Sequence, residues 1–312
     1  MSIQRISVAG VGVDICRAED IESEVLELLA KPGTKQIVFL SVWDLLRARG
    51  KSEYAECVRS ADLVLPVSKS IIRGAKFLKK SIPVRYNPFD AVIEVLSVLE
   101  RHYKSIFLLG ARRATLQKAE SNVRDTFPNL QIVGRYIGHY SKNAEAAVIE
   151  AIYKSSPSLV LVSEGIKEKD VWVYRRRNRF ASSIFIYYKD VLGIFAERIK
   201  RVGEKTFARG HEIYAEIFHN PLKIFLLFPY LWYILVLLWY RLLHIGKYLI
   251  HLKSAIEAFP KFIHAEDCRF VALYLFEVIS QCSSKVLGRR NLCNHIPLST
   301  IKLFRQLDGF LL

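Results

Sequence analysis

Nothing in this chain spells out a metal centre or a disulfide framework. Five cysteines are scattered over 312 residues, no C-x-x-C occurs, and none of the eight histidines completes a zinc spacing. An odd, widely spaced set (Cys16, Cys57, Cys268, Cys282, Cys293) reads as free thiols in a reducing compartment. The run MSIQRISVAGVGVD has one arginine and no apolar h-region, which predicts a globular part that stays in the cytoplasm. Acidic residues are in short supply: 30 Asp and Glu against 46 Lys and Arg leave a formal charge of +16. Such a surplus attracts phosphates, in nucleic acid, anionic lipid or a nucleotide-sugar. No aromatic stacking platform or recognised module accompanies it, so nucleic acid is not expected as a partner. A hydrophobic content of 51% excludes a disordered chain.

What is present is alternation. Arg5 to Val13 reads as a strand or hairpin and Glu19 to Ala30 as a helix, followed by buried strands at Gln36 to Leu40 and Leu63 to Pro66. Asp90 to His102 is a helix and Ser105 to Leu109 a strand ending at Gly110. The helix Thr115 to Phe127 stops at Pro128, whose ring cannot continue the ladder. Leu130 to Val133, Ala144 to Lys154 and Leu159 to Val162 repeat strand, helix, strand. Ser183 to Tyr187 then precedes a helix over Val191 to Lys200. The pattern predicts an α/β fold, a mostly parallel Rossmann-like sheet with helices on both faces, followed by an α-helical membrane-associating C-terminal region. Its expected parts are an α/β domain over 1–205, a docking appendage over 206–245 and a helical extension over 246–312, with an apolar helix at Phe270 to Ser284.

Four local features carry chemistry or its imitation. Gly10-Val-Gly12 lacks the third glycine of a dinucleotide fingerprint, Ile15 standing there, and reads as a hairpin turn. Ser105 to Gly110, leading through Ala111 and Arg112 into a helix, places backbone N–H groups where a phosphate is favoured. Arg175, Arg176, Arg177 and Arg179 form a basic cluster that is either a solvated face or a contact for acidic headgroups. Finally, Ile224 to Tyr240 is seventeen residues without a charge, seven of them aromatic, including Trp232 and Trp239. It is short for a span and carries Pro229, so it lies in the interface, crosses the bilayer, or is buried in a core or an oligomer.

The series GVGVD, QIVFLSVWDLL, ADLVLPVSKSI, IPVRYNPFD, IFLLGA, IVGRYIGHY, LVSEGIKEKDVW and AERIKR resembles, in order and near spacing, the WecG/TagA/CpsF family of bacterial glycosyltransferases. The likeness runs from about Ile6 to Leu226. It implies transfer of an N-acetylhexosamine-type sugar from a UDP-sugar to a polyprenyl-diphosphate-linked acceptor, in cell-envelope polysaccharide synthesis. It further implies no metal and no cofactor, and a place at the cytoplasmic face of the inner membrane, peripheral or single-span. The substrate-binding residues it implies are Arg85, Gly110, Gly165, Trp172 and Arg201; Lys169 is a further candidate, in the segment where the family's Gly-x-Pro-Lys-Gln-Glu-x-Trp reads Gly165-Ile166-Lys167-Glu168-Lys169-Asp170-Val171-Trp172. Arg175, Arg176, Arg177, Trp232 and Trp239 are the expected membrane contacts, and the C-terminal helices a place for a homo-oligomer or protein partner.

The departures lie at the chemical centre. The family's Thr-Pro-Asn is Leu40-Ser41-Val42 here, and its Pro-Asp-Gly, with the proposed base, is Pro66-Val67-Ser68. Valine cannot accept a proton. The glycine-rich strand end has become Tyr187-Tyr188-Lys189-Asp190, Glu-Trp-Leu-Tyr-Arg is Glu212-Ile213-Tyr214-Ala215-Glu216, and two later arginines fall at Lys223 and Leu226. A base would have to come from Asp44, Asp90 or Asp170, with Arg85, Lys69 and Lys169 meeting phosphates. The alternative is a catalytically inactive relative that keeps the fold and the docking and serves as a scaffold.

Overall fold

The computed structural model describes residues 3–203, 207–208 and 230–243. The chain divides into two compact units, Met1–Leu238 and Trp239–Leu312. The elements below belong to the first. The expected helix at Phe270 to Ser284 and the extension 246–312 lie outside the described residues, as do Glu212 to Glu216, Lys223 and Leu226.

In chain order the elements are β1 (Gln4–Val8), β2 (Val11–Ile15), α1 (Ile21–Ala30), β3 (Lys35–Leu40), α2 (Val42–Ala48), α3 (Glu53–Ser60), β4 (Leu63–Pro66), α4 (Lys69–Phe77) and α5 (Pro88–Arg101). Then come β5 (Ser105–Leu109), α6 (Arg113–Thr126), β6 (Gln131–Tyr136), α7 (Glu145–Ser155), β7 (Leu159–Val162), α8 (Asp170–Arg176), β8 (Ile184–Tyr187) and α9 (Val191–Phe195). The six strands from β3 to β8 form one parallel sheet in the order β4-β3-β8-β7-β5-β6. Parallel strands need helical crossovers, so both faces are covered, and strands such as β4 (LVLP) and β7 (LVLV) are apolar and buried along their whole length.

Alternate side chains feed two cores. Ile37, Leu63, Leu65, Ile106, Leu108 and Leu161 meet α1, α5, α6 and α9 on one face. Phe107, Leu109, Val160, Val162 and Phe185 meet α7 and α8 on the other. Helix α3 packs on α8 on this second face.

The first two strands stand apart as an antiparallel hairpin. Ala9 and Gly10 both take positive φ, 52° and 89°, as a two-residue primed turn requires. Gly10-Val-Gly12 is therefore hairpin geometry. Buried Asp14 fastens the hairpin to the edge of the sheet, pairing with Arg5 at 2.7 Å and accepting the Val64 N–H at 2.6 Å. Arg5 also donates to the Ala61 carbonyl at 2.9 Å, so the β4 edge is covered.

Three helices, α2, α3 and α4, were not expected. The helix expected over Val191 to Lys200 ends at Phe195, because Arg198 and Glu197 donate to the Gly193 and Ile194 carbonyls at 2.9 Å each and close it.

Candidate active site

The loops at the carboxyl ends of the parallel strands gather most of the predicted residues, where ligands of open α/β sheets bind. They fall into two halves of different character.

Over β5, β6 and β7 the loops are packed backbone to backbone. Gly110 donates to the Tyr136 carbonyl at 3.0 Å, Ala111 to Glu164 at 2.8 Å and Gly138 to Ala111 at 2.9 Å. A Cβ on Gly138 would stand 2.4 Å from the Glu164 oxygen, and one on Gly165 2.9 Å from Gly138. Gly110 and Gly165 thus let three loops meet. The Ser163 hydroxyl ties this cluster to the loop after β8, donating to the Lys189 carbonyl at 2.7 Å.

Over β4, β3 and β8 the side chains are polar. Ser41 caps α2: its hydroxyl accepts the Asp44 N–H at 3.2 Å and donates to the Asp44 carboxylate at 2.5 Å. Ser68, after β4, accepts the Val42 N–H at 3.2 Å and joins the two loops. Asp44 is one-third exposed and lies 3.7 Å from Arg47. Its charge reaches Asp170, in the first turn of α8. That carboxyl is fully buried and one of its oxygens makes no hydrogen bond. Burial first, and the Asp44 charge second, push it up to about 7. Beside it lie the Tyr54 hydroxyl, buried without a hydrogen bond, and the Cys57 thiol, which sits 3.6 Å from both the Gln36 side chain and the Asp170 carbonyl. Burial pushes that thiol up to about 12. Gln36 donates to the same carbonyl at 3.0 Å. Neither Tyr54 nor Gln36 is a candidate in the sequence: Gln36 only opens the QIVFLSVWDLL segment, and no motif marks Tyr54.

The remaining predicted residues are placed as follows. Lys169, exposed, has φ 52° and ψ −128°, a conformation that costs a non-glycine residue on the order of 1–3 kcal/mol. The Arg85 guanidinium donates to the Val67 carbonyl at 2.7 Å and stacks on the Phe207 ring at 3.7 Å. Lys69 donates to the Ala208 carbonyl at 3.0 Å, so residues 207–208 rest on this rim. Asp90 and Arg201 pair with each other at 2.6 Å. Trp172 is 2% exposed, donates to Glu145 at 2.9 Å and packs on Phe180, as a core residue does. Arg175 pairs with Glu53 and Glu168, Arg176 with Glu145 and Glu168, and Arg177 stacks on Tyr174.

Residues 230–243 form a helix. Its Tyr233, Val236 and Leu237 are buried; the Tyr233 hydroxyl donates to the Ser70 carbonyl at 3.2 Å and fills the space that Gly74 leaves. Trp232 and Trp239 are exposed. Among the described residues no three His, Cys, Asp or Glu side chains cluster to hold a metal ion, and no helix is long and apolar enough to cross a membrane.

A family model of the glycosyl transferases called WecG/TagA/CpsF matches residues 6–246. The chain belongs to this family. Its relatives include the N-acetylglucosaminyldiphosphoundecaprenol N-acetyl-β-D-mannosaminyltransferases of Bacillus subtilis, 21% identical over 169 residues, and Bacillus spizizenii, 23% identical over 171. Each alignment covers 54% of this chain and 65% of the relative. The Staphylococcus aureus protein of the same name is 21% identical over 148 residues, 47% of this chain and 58% of its own. The chain thus spans about two thirds or less of the curated relatives it matches. The loops after β4 and β3 lie side by side, joined by the Ser68–Val42 hydrogen bond.

Proposed function

We propose that the protein is a membrane-associated glycosyltransferase that moves an N-acetylhexosamine-type sugar from a UDP-sugar to a polyprenyl-diphosphate-linked acceptor. The names of its relatives specify that kind of acceptor and an N-acetylmannosaminyl group. The observation that carries the reading is Asp44: a part-exposed carboxylate one loop away from Val67, beside the rim of Lys69 and Arg85.

In this reading Asp44 accepts the proton of the attacking acceptor hydroxyl. The hydroxyl oxygen bonds to the anomeric carbon, the bond from that carbon to the phosphate oxygen breaks, and its electron pair leaves with UDP. Cations on the rim, Lys169 with Lys69 and Arg85, stabilise the charge that grows on the diphosphate. Gly110, Gly165 and the Asp90–Arg201 pair hold the loops that carry them.

UDP should raise the melting temperature of the full chain by mass-action linkage. Asp44→Asn should keep that response and lose turnover by about 10²- to 10⁴-fold, the usual worth of a general base. Turnover unchanged in Asp44→Asn would remove Asp44 from the mechanism.

A second reading, an inactive relative acting as a scaffold, draws on Val67 at the family's base position and on the carbonyls of Phe207 and Ala208 that occupy Arg85 and Lys69. It predicts no melting shift at millimolar UDP.

A further inference from the structure

The loop between β7 and α8 holds its chain in a conformation that lysine resists. Residues 168–171 form a turn closed by the Val171 N–H donating to the Glu168 carbonyl at 3.1 Å. Lys169, at its second position, has φ 52° and ψ −128°, the values of a type II′ turn, where glycine is the default. A side chain kept there needs the surroundings to fix the turn, and such outliers gather at functional sites.

The surroundings do fix it, through the residue before. The two carboxylate oxygens of Glu168 are taken by different arginines, one by Arg175 at 2.6 Å and the other by Arg176 at 2.7 Å. Arg175 reaches on to Glu53 of α3 with two further bonds of 2.6 Å each. Arg176 reaches Glu145 of α7 at 2.8 Å, donates to the Trp172 carbonyl at 3.0 Å and stacks on the Trp172 ring. The turn is therefore anchored to the helices on both sides.

The clamp has an electrostatic effect as well. Glu168 is the nearest carboxylate along the chain on one side of Lys169, and two guanidinium groups take up its charge. Among the described residues Lys169 makes no ion pair, and its side chain is exposed at the carboxyl edge of the sheet. Asp170 on the other side is buried, and burial favours its neutral form.

We infer that Glu168, clamped by Arg175 and Arg176, is a positioning residue that holds Lys169 in its strained turn and leaves the ammonium free to grip the diphosphate of the nucleotide. This inference rests on the proposed function. It also gives Arg175 and Arg176 a role inside the fold in place of lipid headgroups.

The test is UDP affinity of the full chain, by titration calorimetry. Glu168→Gln should weaken UDP binding about tenfold, the scale of one charge-assisted phosphate contact, with Glu168→Asp recovering most of it. Lys169→Gly removes the cation and suits the turn, so it should weaken UDP at least as much while raising the melting temperature by about a few degrees. Pelleting on anionic vesicles should not change in Arg176→Gln. If wild type binds UDP and Glu168→Gln binds it within about twofold, the inference fails and the proposed function stands. A lower melting temperature in Lys169→Gly, or loss of pelleting in Arg176→Gln, also overturns it. If wild type itself does not bind UDP, the proposed function fails and the inference with it.

Discussion

In the unfolded chain Asp170 ionises at the ordinary aspartate value, whereas in the fold burial, with the Asp44 charge second, pushes it up to about 7. The fold therefore binds a proton that the unfolded chain has released between about pH 4 and 7. Stability should fall across that window by up to about 1.4 kcal/mol per pH unit and level off above it. Asp170→Asn, which keeps the shape and removes the charge, should melt with wild type at pH 4 and well above it at pH 8. Equal melting at both values would show that Asp170 ionises in place without cost. Residues of this kind are only half legible in a sequence. Asp44 and Asp170 were candidates because they stand near family motifs. Tyr54 and Cys57 of α3 and Gln36 of β3 surround Asp170, the first two through α3 packing on α8 and Gln36 by a direct hydrogen bond to its carbonyl. Gly110 and Gly165 each close on a neighbouring loop, a contact between distant segments that no local spacing encodes.

At the scale of elements, three helices end in the same way. In α4, α5 and α9 the chain turns through a left-handed residue, Lys79, Tyr103 or Glu197, with φ of 55°, 51° and 58°. In α5 Tyr103 donates to Glu100 at 3.1 Å and Lys104 to Leu99 at 2.8 Å, the paired bonds of a Schellman cap. Glycine usually fills that place, and its absence hides the end of α9 in the sequence. Tyr103 is 71% exposed, so Tyr103→Gly removes little packing and should stabilise the protein by about 0.5–1 kcal/mol. Tyr103→Ala, which keeps a Cβ, should not, and equal denaturation midpoints for the two variants would refute the cap assignment. Strands were the easier elements. β4, β5 and β7 end where their apolar runs end, because fully buried parallel strands leave no polar residue inside. Short helices were the harder ones. α2 and α3 are capped by Ser41 and Ser52, but one or two turns give too little periodicity to register. In α4 the buried face is Ile71, Gly74 and Ala75, and Gly74 is small for the sake of Tyr233, far along the chain.

The molecule as a whole carries a +16 charge and one helix, 230–243, with an apolar side turned outward. Tyr233, Val236 and Leu237 face inward, and Leu231, Trp232, Ile234 and Leu235 are each more than half exposed. A contiguous surface of leucine, isoleucine and tryptophan is uncommon on a water-soluble protein and marks a contact. Three placements were open for this segment. Among the described residues no helix is long and apolar enough to cross a membrane, and the exposed side of 230–243 fits an amphipathic helix lying in the interface, with tryptophan at headgroup level. Two forces would then act together, and salt separates them. Charge attraction to anionic lipid weakens as the screening length shrinks to about 3 Å at molar salt, whereas apolar insertion does not. Replacing Leu231, Trp232 and Leu235 by Gln should leave the melting temperature near that of wild type, because the three side chains are exposed. The variant should still pellet with anionic vesicles at low salt and be released at about 1 M salt, while wild type stays bound. Wild type released by salt as readily as the variant would mean that the basic surface alone attaches the protein, and that this helix meets something other than lipid.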